Sequence, residues 1–348
     1  MTAITVDLYS DTQTRPTAAM REAMAAAPVG DEQRGEDPSV NRLCEMAAEL
    51  LGKEAAMFLP SGTMCNEIAI LLHCRPGDEI LCDATSHIII AEAGGPAVFA
   101  GAMVSPLHGE RGIYTVADLE AGLRASSRHA PRSRLVEIEQ TSNFGGGSIW
   151  PMAAIEAVAD AARAHGLAVH MDGARLMNAV VASGIAAARF AGPADTVWLD
   201  LSKGLGCPVG AVLAGSQDAI DEAWSWKHRM GGAMRQAGII AAAGVYALEH
   251  HVERLADDHA NARHLAEALA EIPGIQLDPT LVETNIAFFD LPGRSATAVR
   301  DALLQKGVRV GAVGPSQIRT LTHLDVDRAG IDRAIGAVRE VLAELPTE

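Results

Sequence analysis

Short apolar runs alternate with helical patterns between residues 55 and 215, and this alternation constrains the fold more than any other feature of the sequence. The apolar runs are AAMFLP (55–60), DEILCD (78–83), SRLVEIEQT (133–141), LAVHMD (167–172), DTVWLDL (195–201) and VGAVLAG (209–215). Strands that alternate with helices form a mostly parallel sheet with helices on both faces. The sequence therefore predicts an α/β fold in which ligands bind at the carboxyl ends of the strands.

The character of the chain changes after a long apolar helix that we predict over residues 233–250. Beyond it, helical patterns alternate with two strand patterns, TNIAFFDL (284–291) and QIRTLTHL (317–324). A chain of 348 residues is long enough for one large domain and one smaller one. We predict a large α/β domain over residues 1–249, which includes the N-terminal segment, and a small α+β domain over residues 250–348.

Composition and net charge limit the kinds of molecule that this chain is expected to bind. The formal net charge of −16 argues against nonspecific binding to nucleic acid or to an anionic membrane. No apolar run reaches membrane-spanning length, and no signal-peptide pattern is visible. The five cysteines lack C-x-x-C spacing, and no His, Cys and Asp cluster has the spacing of metal ligands. We therefore predict free thiols, a cytoplasmic protein and no metal site.

Lysine is scarce in this chain, and one lysine stands between a buried strand and a glycine-rich turn. Only four of the 28 Lys and Arg residues are lysines, and Lys203 alone follows an apolar strand and precedes a glycine. A partly desolvated lysine has a lowered pKa and can form a Schiff base with a carbonyl compound. A structural lysine that binds strand-end carbonyls fits the local sequence equally well.

Two further motifs favour the chemical interpretation of Lys203. Asp172 ends a strand in HMDGAR, and Ser61-Gly62-Thr63 lie at a strand-to-helix turn. A pyridoxal phosphate (PLP) site needs a lysine for the aldehyde, a carboxylate for the ring nitrogen and an anion cradle for the phosphate. Each motif alone has a structural alternative, since Asp172 and Ser61 would both suit a helix N-cap, and Arg175 a surface salt bridge. Together they predict a PLP site.

Eight segments carry a resemblance to a known family. They are DLYSDTQTRPTAAMREAM (7–24), VGDEQRGEDPSVNRL (29–43), FLPSGTMCNEIAI (58–70), SHIIIAEAGG (86–95), HMDGARLMNA (170–179), LSKGLGCPVGAVLAG (201–215), GGAMRQAGIIAAAGVYAL (231–248) and IRTLTHLDV (318–326). The chain resembles the low-specificity L-threonine aldolases. The resemblance implies a fold-type-I PLP-dependent enzyme of the aspartate aminotransferase-like fold, with a mostly parallel central sheet and a smaller C-terminal α+β domain.

The resemblance also implies roles for residues around the cofactor. It assigns the PLP aldehyde to Lys203, the ring nitrogen to Asp172 and a contact in the ring region to Arg175. It assigns the phosphate to Ser61, Gly62, Thr63 and Arg235.

Three more residues take implied roles in catalysis and substrate binding. His87 should stack on the cofactor ring and is our candidate for acid–base work, although a histidine that caps a strand end would look the same. Ser10 and Arg319 should hold the substrate carboxylate, for which the guanidinium fork of arginine is suited.

The implied reaction is cleavage of a β-hydroxy-α-amino acid, such as L-threonine or L-allo-threonine, to glycine and an aldehyde. The family implies a homodimer or homotetramer with sites at subunit interfaces. Alternatives are a PLP-dependent lyase that eliminates a β-substituent, an aldolase for α-methyl or other substrates, an aminotransferase, and a non-enzymatic PLP-binding protein.

The chain departs from the family pattern at four positions, Tyr9, Arg34, Gln140 and Ser142. Ser142 stands where the family commonly has a histidine near the substrate hydroxyl. Serine is shorter and cannot become charged, so we expect a roomier and less basic pocket at the β-substituent. We predict that Ser142 is a substrate-binding residue and that the enzyme discriminates poorly between threo and erythro substrates or prefers another β-hydroxy amino acid. The four departures would also suit a subfamily with different chemistry at Cβ, such as β-elimination.

Overall fold

The computed structural model describes residues 3–125 and 127–345. Its strands are Val6–Asp7 (β1), Ala55–Leu59 (β2), Asp78–Asp83 (β3), Met103–Leu107 (β4), Arg132–Glu139 (β5), Ala168–Gly173 (β6), Thr196–Asp200 (β7), Ala211–Gly215 (β8), Ile286–Asp290 (β9), Val308–Arg309 (β10), Gly311–Ala312 (β11) and Gln317–Leu321 (β12). Its α-helices are Ala18–Ala25 (α1), Pro38–Leu51 (α2), Gly62–His73 (α3), His87–Ile90 (α4), Val116–Gly122 (α5), Met152–Ala164 (α6), Leu176–Ser183 (α7), Ala187–Ala191 (α8), Gln217–Arg229 (α9), Gly238–His250 (α10), Leu255–Ala270 (α11), Ala296–Gln305 (α12) and Arg328–Glu344 (α13).

The chain forms two compact units. The larger contains residues 16–252, and the smaller contains the described residues of 1–15 and 253–348. The predicted large domain began at residue 1, so the structure differs from that prediction at the N-terminus. The physical reason is a pair of buried apolar side chains, Val6 and Leu8, which belong to the hydrophobic core of the C-terminal segment. β1 also pairs in parallel with β10.

A seven-stranded sheet organises the larger unit, in the order β2-β8-β7-β6-β5-β3-β4. β8 runs antiparallel to both of its neighbours, whereas the other strands are parallel to one another. This arrangement confirms the predicted α/β fold with a mostly parallel sheet. β4 is the one strand of this sheet that the apolar pattern did not predict. Of its five residues only Leu107 is buried, and Met103 and Pro106 are exposed.

Local sequence signals account for the start of α3, the helix that follows β2. The side chain of Ser61 caps α3 by accepting from the backbone N–H of Met64. Most of this helix is buried, and Cys65 and Ile68 pack in a core with Met57 of β2 and Trp198 of β7. The N-terminus of α3 is therefore held directly at the carboxyl end of the sheet.

The smaller unit has a three-stranded antiparallel sheet in the order β11-β12-β9. Its core contains Leu265, Phe289, Val299 and Ile335, which come from α11, β9, α12 and α13. This unit has the α+β organisation that the pattern after residue 250 predicts.

The long apolar helix predicted over residues 233–250 is shorter in the structure, because α10 begins at Gly238. Two buried carboxylates bind backbone N–H groups of this stretch, and one of these groups, Gly238 N–H, would donate to the Met234 carbonyl if the helix began at residue 233. Glu32 Oε2 accepts from Met234 N at 2.8 Å, and Asp37 Oδ2 accepts from Gly238 N at 2.9 Å. Among residues 3–125 and 127–345, no helix combines the length and hydropathy needed to cross a membrane.

A buried ion pair ties the loop before α2 to α9. The Lys227 ammonium group contacts Glu32 and donates to the carbonyl of Phe58 at 2.8 Å. Both side chains of the pair are almost fully buried. A charge in such a position is stable only while its partner is present.

We predict that Lys227→Met lowers the free energy of unfolding by about 3–5 kcal/mol, because it leaves the Glu32 carboxylate buried without its counter-ion. Urea unfolding followed by circular dichroism measures the loss. Lys306→Met is the matched control, since Lys306 pairs with exposed Glu340 and Glu344 at the surface and should change stability little. Equal losses in both variants would contradict this prediction.

Candidate active site

The parallel strands of the main sheet bring several polar turns to one edge, because parallel strands share the direction in which they end. Five strand ends contribute, those of β2, β3, β5, β6 and β7. The turns that follow them carry Ser61, Gly62 and Thr63, then His87, then Gln140 and Ser142, then Arg175, and finally Lys203. Asp172 lies in the last residues of β6. This is the edge at which doubly wound sheets bind ligands.

Lys203 is partly desolvated and lies beside one carboxylate and one aromatic ring. Its Nζ atom is 2.7 Å from Oδ2 of Asp200 and 5.5 Å from the centroid of the Trp198 ring. The side chain keeps 17% of its surface exposed, so the amine is held in place and still accessible. Both partners come from β7, the strand that Lys203 follows.

Trp198 connects this lysine to the start of α3. A Cβ atom at Gly62 would lie 2.2 Å from Cη2 of the Trp198 ring, which is far inside van der Waals contact. Only glycine permits the backbone of α3 to approach the ring so closely. The first turn of a helix exposes backbone N–H groups that suit an anion, and this turn is packed on the ring over which Lys203 lies.

Asn66, one helical turn after Gly62, connects Trp198 to Asp172. Its Oδ1 accepts from Trp198 Nε1 at 2.7 Å and its Nδ2 donates to Asp172 Oδ2 at 2.9 Å. The other oxygen of Asp172 accepts from the backbone N–H of Ala174 at 2.9 Å. Asp172 is fully buried. A donor on each oxygen fixes the orientation of this carboxylate at the end of β6.

A neutral histidine completes the surroundings of Asn66. Burial lowers the pKa of His170 to about 3, so this ring carries no charge at neutral pH. Its Nε2 atom lies 3.0 Å from Asn66 Oδ1, and its Nδ1 atom lies 2.9 Å from Thr196 Oγ1. Because Asn66 Oδ1 can only accept, these partners assign the ring proton to Nε2.

His87 lies at the start of α4 and is held by two carboxylates. Its backbone N–H donates to Glu139 Oε2 at 2.8 Å, and its Nδ1 lies 2.7 Å from Glu92 Oε1. Burial alone would lower the pKa of His87. The hydrogen bond to Glu92 and the charges of Asp172, Glu92 and Glu139 outweigh burial and raise that pKa. The side chain keeps 35% of its surface exposed, so a substrate can reach it.

Carboxyl groups crowd the centre of this edge. One ligand atom from each of Glu137, Glu139 and Asp172 lies within 4.8 Å of the others, and the same holds for His87, Glu92 and Asp172. Burial and the Asp172 charge raise the pKa of Glu139 to about 7. Burial and the charges of Glu139 and Asp172 raise that of Glu137 well above its ordinary value. The edge therefore holds protons as well as negative charges near neutral pH.

The two departures at positions 140 and 142 have structural partners. The Gln140 side chain is fully buried and clamps the backbone of Trp150, accepting from its N–H at 3.1 Å and donating to its carbonyl at 3.4 Å. Ser142 is buried, and its Oγ accepts from Gly145 N at 3.2 Å. A Cβ atom at Gly112 would lie 2.0 Å from that Oγ. Both residues fasten the turn that follows β5.

Two predicted arginines lie in different surroundings. Arg175 follows β6, is buried, and contacts Asn143 Oδ1 at 3.3 Å through Nη1, so it lies with the turn after β5. Arg235 is mostly exposed and pairs with Asp31 at 2.9 Å. Arg34, one of the departures, is also exposed and pairs with Glu36.

Ser10 and Arg319 belong to the smaller unit. Ser10 accepts from Thr12 N at 3.2 Å as a helix N-cap, and Arg319 lies on β12 opposite Gly311 of β11. Tyr9 also approaches Gly311 and stacks with Arg309.

Four residues of this edge were not predicted from the sequence, namely Asn66, Glu92, Glu139 and Trp198. Asn66 and Glu67 are polar residues in an otherwise apolar helix, and this was a usable signal, because burying them requires polar partners. Trp198 lies within an apolar strand and gave no such signal.

Three comparisons place the chain among known proteins. A family model described as "Beta-eliminating lyase" matches residues 7–292. A low specificity L-threonine aldolase from Escherichia coli (strain K12) is 40% identical over 339 residues, which cover 97% of this chain and 99% of the relative. A probable low-specificity L-threonine aldolase 2 from Arabidopsis thaliana is 39% identical over 344 residues, which cover 97% of each chain.

A solved structure agrees with the fold. The structure of a threonine aldolase from Leishmania major has a TM-score of 0.83 to this chain at 22% identity, and the match covers 97% of this chain and 99% of that one. This likeness confirms the fold class that the sequence analysis predicted.

We predict that Gly62→Ala costs about 1–3 kcal/mol of stability, because the added methyl group must displace Trp198 or the start of α3. It should also weaken cofactor binding. Gly336→Ala is the control, since its Cβ would meet no atom within 4 Å and the substitution should be neutral or stabilise α13 by up to about 1 kcal/mol. Urea unfolding measures both variants, and an undisturbed Gly62→Ala protein would contradict the packing argument.

Proposed function

The chain belongs to the low-specificity L-threonine aldolases of the β-eliminating lyase family, and from that membership we propose how its residues serve the reaction. It is a PLP-dependent lyase that cleaves L-threonine, L-allo-threonine or related β-hydroxy-α-amino acids to glycine and an aldehyde.

One observation supports placing the cofactor at the carboxyl edge. Lys203 and buried Asp172 are joined through Trp198 and Asn66, with the start of α3 packed on the same ring. This donor set fits PLP. An amine suits its aldehyde, a buried carboxylate suits a protonated ring nitrogen, and a helix N-terminus with hydroxyl groups suits its phosphate.

When bound, PLP accepts the electrons that are left at Cα after the Cα–Cβ bond breaks. Lys203 would hold the cofactor by its aldehyde carbon. Asp172 would face the ring nitrogen and keep a proton on it, and the hydrogen bonds from Asn66 and Ala174 would hold the carboxylate in that orientation. The phosphate would be held by Ser61, Gly62, Thr63 and Arg235, and Arg175 would contact the ring region.

His87 would accept the proton of the substrate β-hydroxyl group. With Nδ1 engaged by Glu92, the accepting atom would be Nε2. Ser10 and Arg319 would bind the substrate carboxylate, and Arg319 would do so through two parallel hydrogen bonds. Such fixed binding orients the bond that breaks and so lowers the entropic part of the barrier.

A homodimer or homotetramer is part of this proposal. Val98 and Phe99, which follow the turn containing Glu92, keep 73% and 53% of their surface exposed, and Ile90 keeps 48%. An exposed apolar group next to a functional site is typical of a protein interface. A second copy of the chain that covers it would place subunit contacts beside His87.

A cytoplasmic location and a role in glycine metabolism complete the proposal. All five cysteines are free, as in a reducing compartment. Glycine is the amino acid that cleavage would release.

We expect borohydride reduction of the holoenzyme to fix the cofactor covalently to the peptide that contains Lys203, as peptide mass spectrometry would show. Lys203→Ala should lose both this label and activity. Lys53→Ala is the matched control, because Lys53 donates to the carbonyl of Ala194 away from the site and should keep both. Full activity in Lys203→Ala would overturn the proposed mechanism.

We predict that kcat/KM for L-threonine and for L-allo-threonine differ by less than about tenfold, which corresponds to less than ~1.4 kcal/mol of discrimination. The physical reason is that Ser142 is buried in its turn and offers no charged group that would bind the β-hydroxyl group of one diastereomer in preference to the other. Coupled assays of aldehyde release measure both values. A strong preference for one diastereomer would reject the prediction, and ammonia with a keto acid as products would indicate β-elimination instead.

A further inference from the structure

Three carboxyl oxygens near His87 are buried without any hydrogen-bond donor. They are Oε1 and Oε2 of Glu67 and Oε2 of Glu92. Glu67 is 2% exposed and Glu92 is 5% exposed, so water does not reach them. An ionised carboxylate can only accept, and burying it without a donor is costly. Two ionised carboxylates in this position would therefore be unstable.

The two carboxyl groups are neighbours, and this proximity supplies the missing donor. Burial, the charge of Glu92 and a hydrogen bond to Glu92 together raise the pKa of Glu67 to about 8. When one of two adjacent carboxyls keeps its proton, it donates to the other, and this hydrogen bond engages Glu92 Oε2 and one of the two Glu67 oxygens. The surroundings thus favour a proton on Glu67, which Glu67 donates to Glu92.

The backbone confines the Glu67 carboxyl. A Cβ atom at Gly95 would lie 1.6 Å from Glu67 Oε1, so the carboxyl lies directly against the backbone of the turn that Glu92 begins. Gly95 N donates to Glu92 O at 2.9 Å and closes this turn. Glu67 is therefore held between α3 and the turn rather than free to rotate away.

The other oxygen of Glu92 carries the connection to His87. Glu92 Oε1 lies 2.7 Å from His87 Nδ1 and accepts from Asn66 Nδ2 at 2.7 Å. We propose that Glu67 and Glu92 share one proton and together position His87, with Glu92 fixing its Nδ1 and Glu67 setting how strongly Glu92 attracts the imidazole proton. This inference rests on the proposed role of His87 as the base for the β-hydroxyl group.

The shared proton has a chemical consequence for His87. Glu67 draws part of the negative charge of Glu92 away from the imidazole, so His87 gives up its proton at a lower pH than it would beside an isolated carboxylate. The resemblance expects a second histidine at position 142, where this chain has serine. A single imidazole must then be neutral at working pH, and Glu67 favours that state.

Other titratable groups face this pair from the elements packed around it. They are Asp172 on β6, Glu137 and Glu139 on β5, and Cys65 on α3. All four are unchanged in variants at position 67. Differences between such variants and the unmodified enzyme therefore report on the pair.

The first test measures stability against pH in the holoenzyme. A carboxyl with a raised pKa in the folded protein binds a proton that the unfolded chain has lost, so its contribution to stability falls as pH rises from about 4.5 to about 8. Glu67→Gln donates to Glu92 through its amide and cannot ionise. We expect its Tm, relative to the unmodified enzyme, to rise from pH 5.5 to about pH 8 and then to level off.

Glu79→Gln is the matched control for that measurement. Glu79 is equally buried but lies at the opposite end of β3, where Ser105, Ser133 and Arg124 donate to it. These donors lower its pKa even though burial opposes them. This variant should lower Tm by the same amount at every pH in the range. The same constant offset in Glu67→Gln would overturn the shared proton, whether or not the enzyme is an aldolase.

The second test separates positioning from packing by the pH profile of kcat/KM. Glu67→Leu removes the donor to Glu92, so the acid limb should move up by about one pH unit, a tenfold change in proton affinity. Glu67→Gln keeps a donor and should keep the limb in place. Identical limbs in all three proteins would overturn the positioning role, whereas absence of cleavage in the unmodified enzyme would refute the proposed function instead.

Discussion

The carboxyl edge of the main sheet depends on the hydrogen bonds that the side-chain amide of Asn66 makes. Its oxygen accepts from Trp198 and His170, and its nitrogen donates to Asp172 and Glu92. An amide can do this because it offers two donors and two acceptor lone pairs in one plane. The positions of Asp172 on β6, Trp198 on β7 and the turn that carries Glu92 are therefore coupled through one side chain of α3. A carboxylate at position 66 would place an acceptor oxygen where Asp172 and Glu92 now receive hydrogen bonds, and neither would have a donor there.

The second constraint is the concentration of carboxyl groups around that amide. Burial in a medium of low dielectric raises the pKa values of Glu137 and Glu139, and repulsion from the neighbouring carboxylates raises them further. Three features reduce the repulsion within this cluster. They are the protons that Glu137 and Glu139 retain, the imidazole of His87 and the hydrogen-bond donors around Asp172. A protonated ring nitrogen at Asp172 would bring a positive charge to the point where negative charge is densest, which gives cofactor binding a favourable electrostatic term.

Much of the fold could be predicted because its signals are local. The apolar runs that predicted strands end within a few residues of the observed strands, and a strand end marks the sheet edge where Lys203 and Asp172 lie. Non-local contacts account for the errors. Residues 233–237 have a helical composition, yet Asp37 binds the backbone N–H of Gly238, which an earlier helix would pair with the Met234 carbonyl, and the helix begins later. The N-terminal residues lie with the C-terminal segment because β10 offers a pairing edge that the local sequence does not reveal.

The sequence by itself determined the α/β class and the residue types of the site, because hydrophobic periodicity and strand-end motifs are written in short stretches of chain. Only the tertiary structure decided which polar groups face one another. Glu67, Glu92 and Glu139 are distant in sequence from Asp172, and each would suit a solvated surface. Folding brings them into one buried cluster, where desolvation and mutual repulsion change which of them keeps its proton. That outcome depends on distances between segments, which a sequence pattern does not encode.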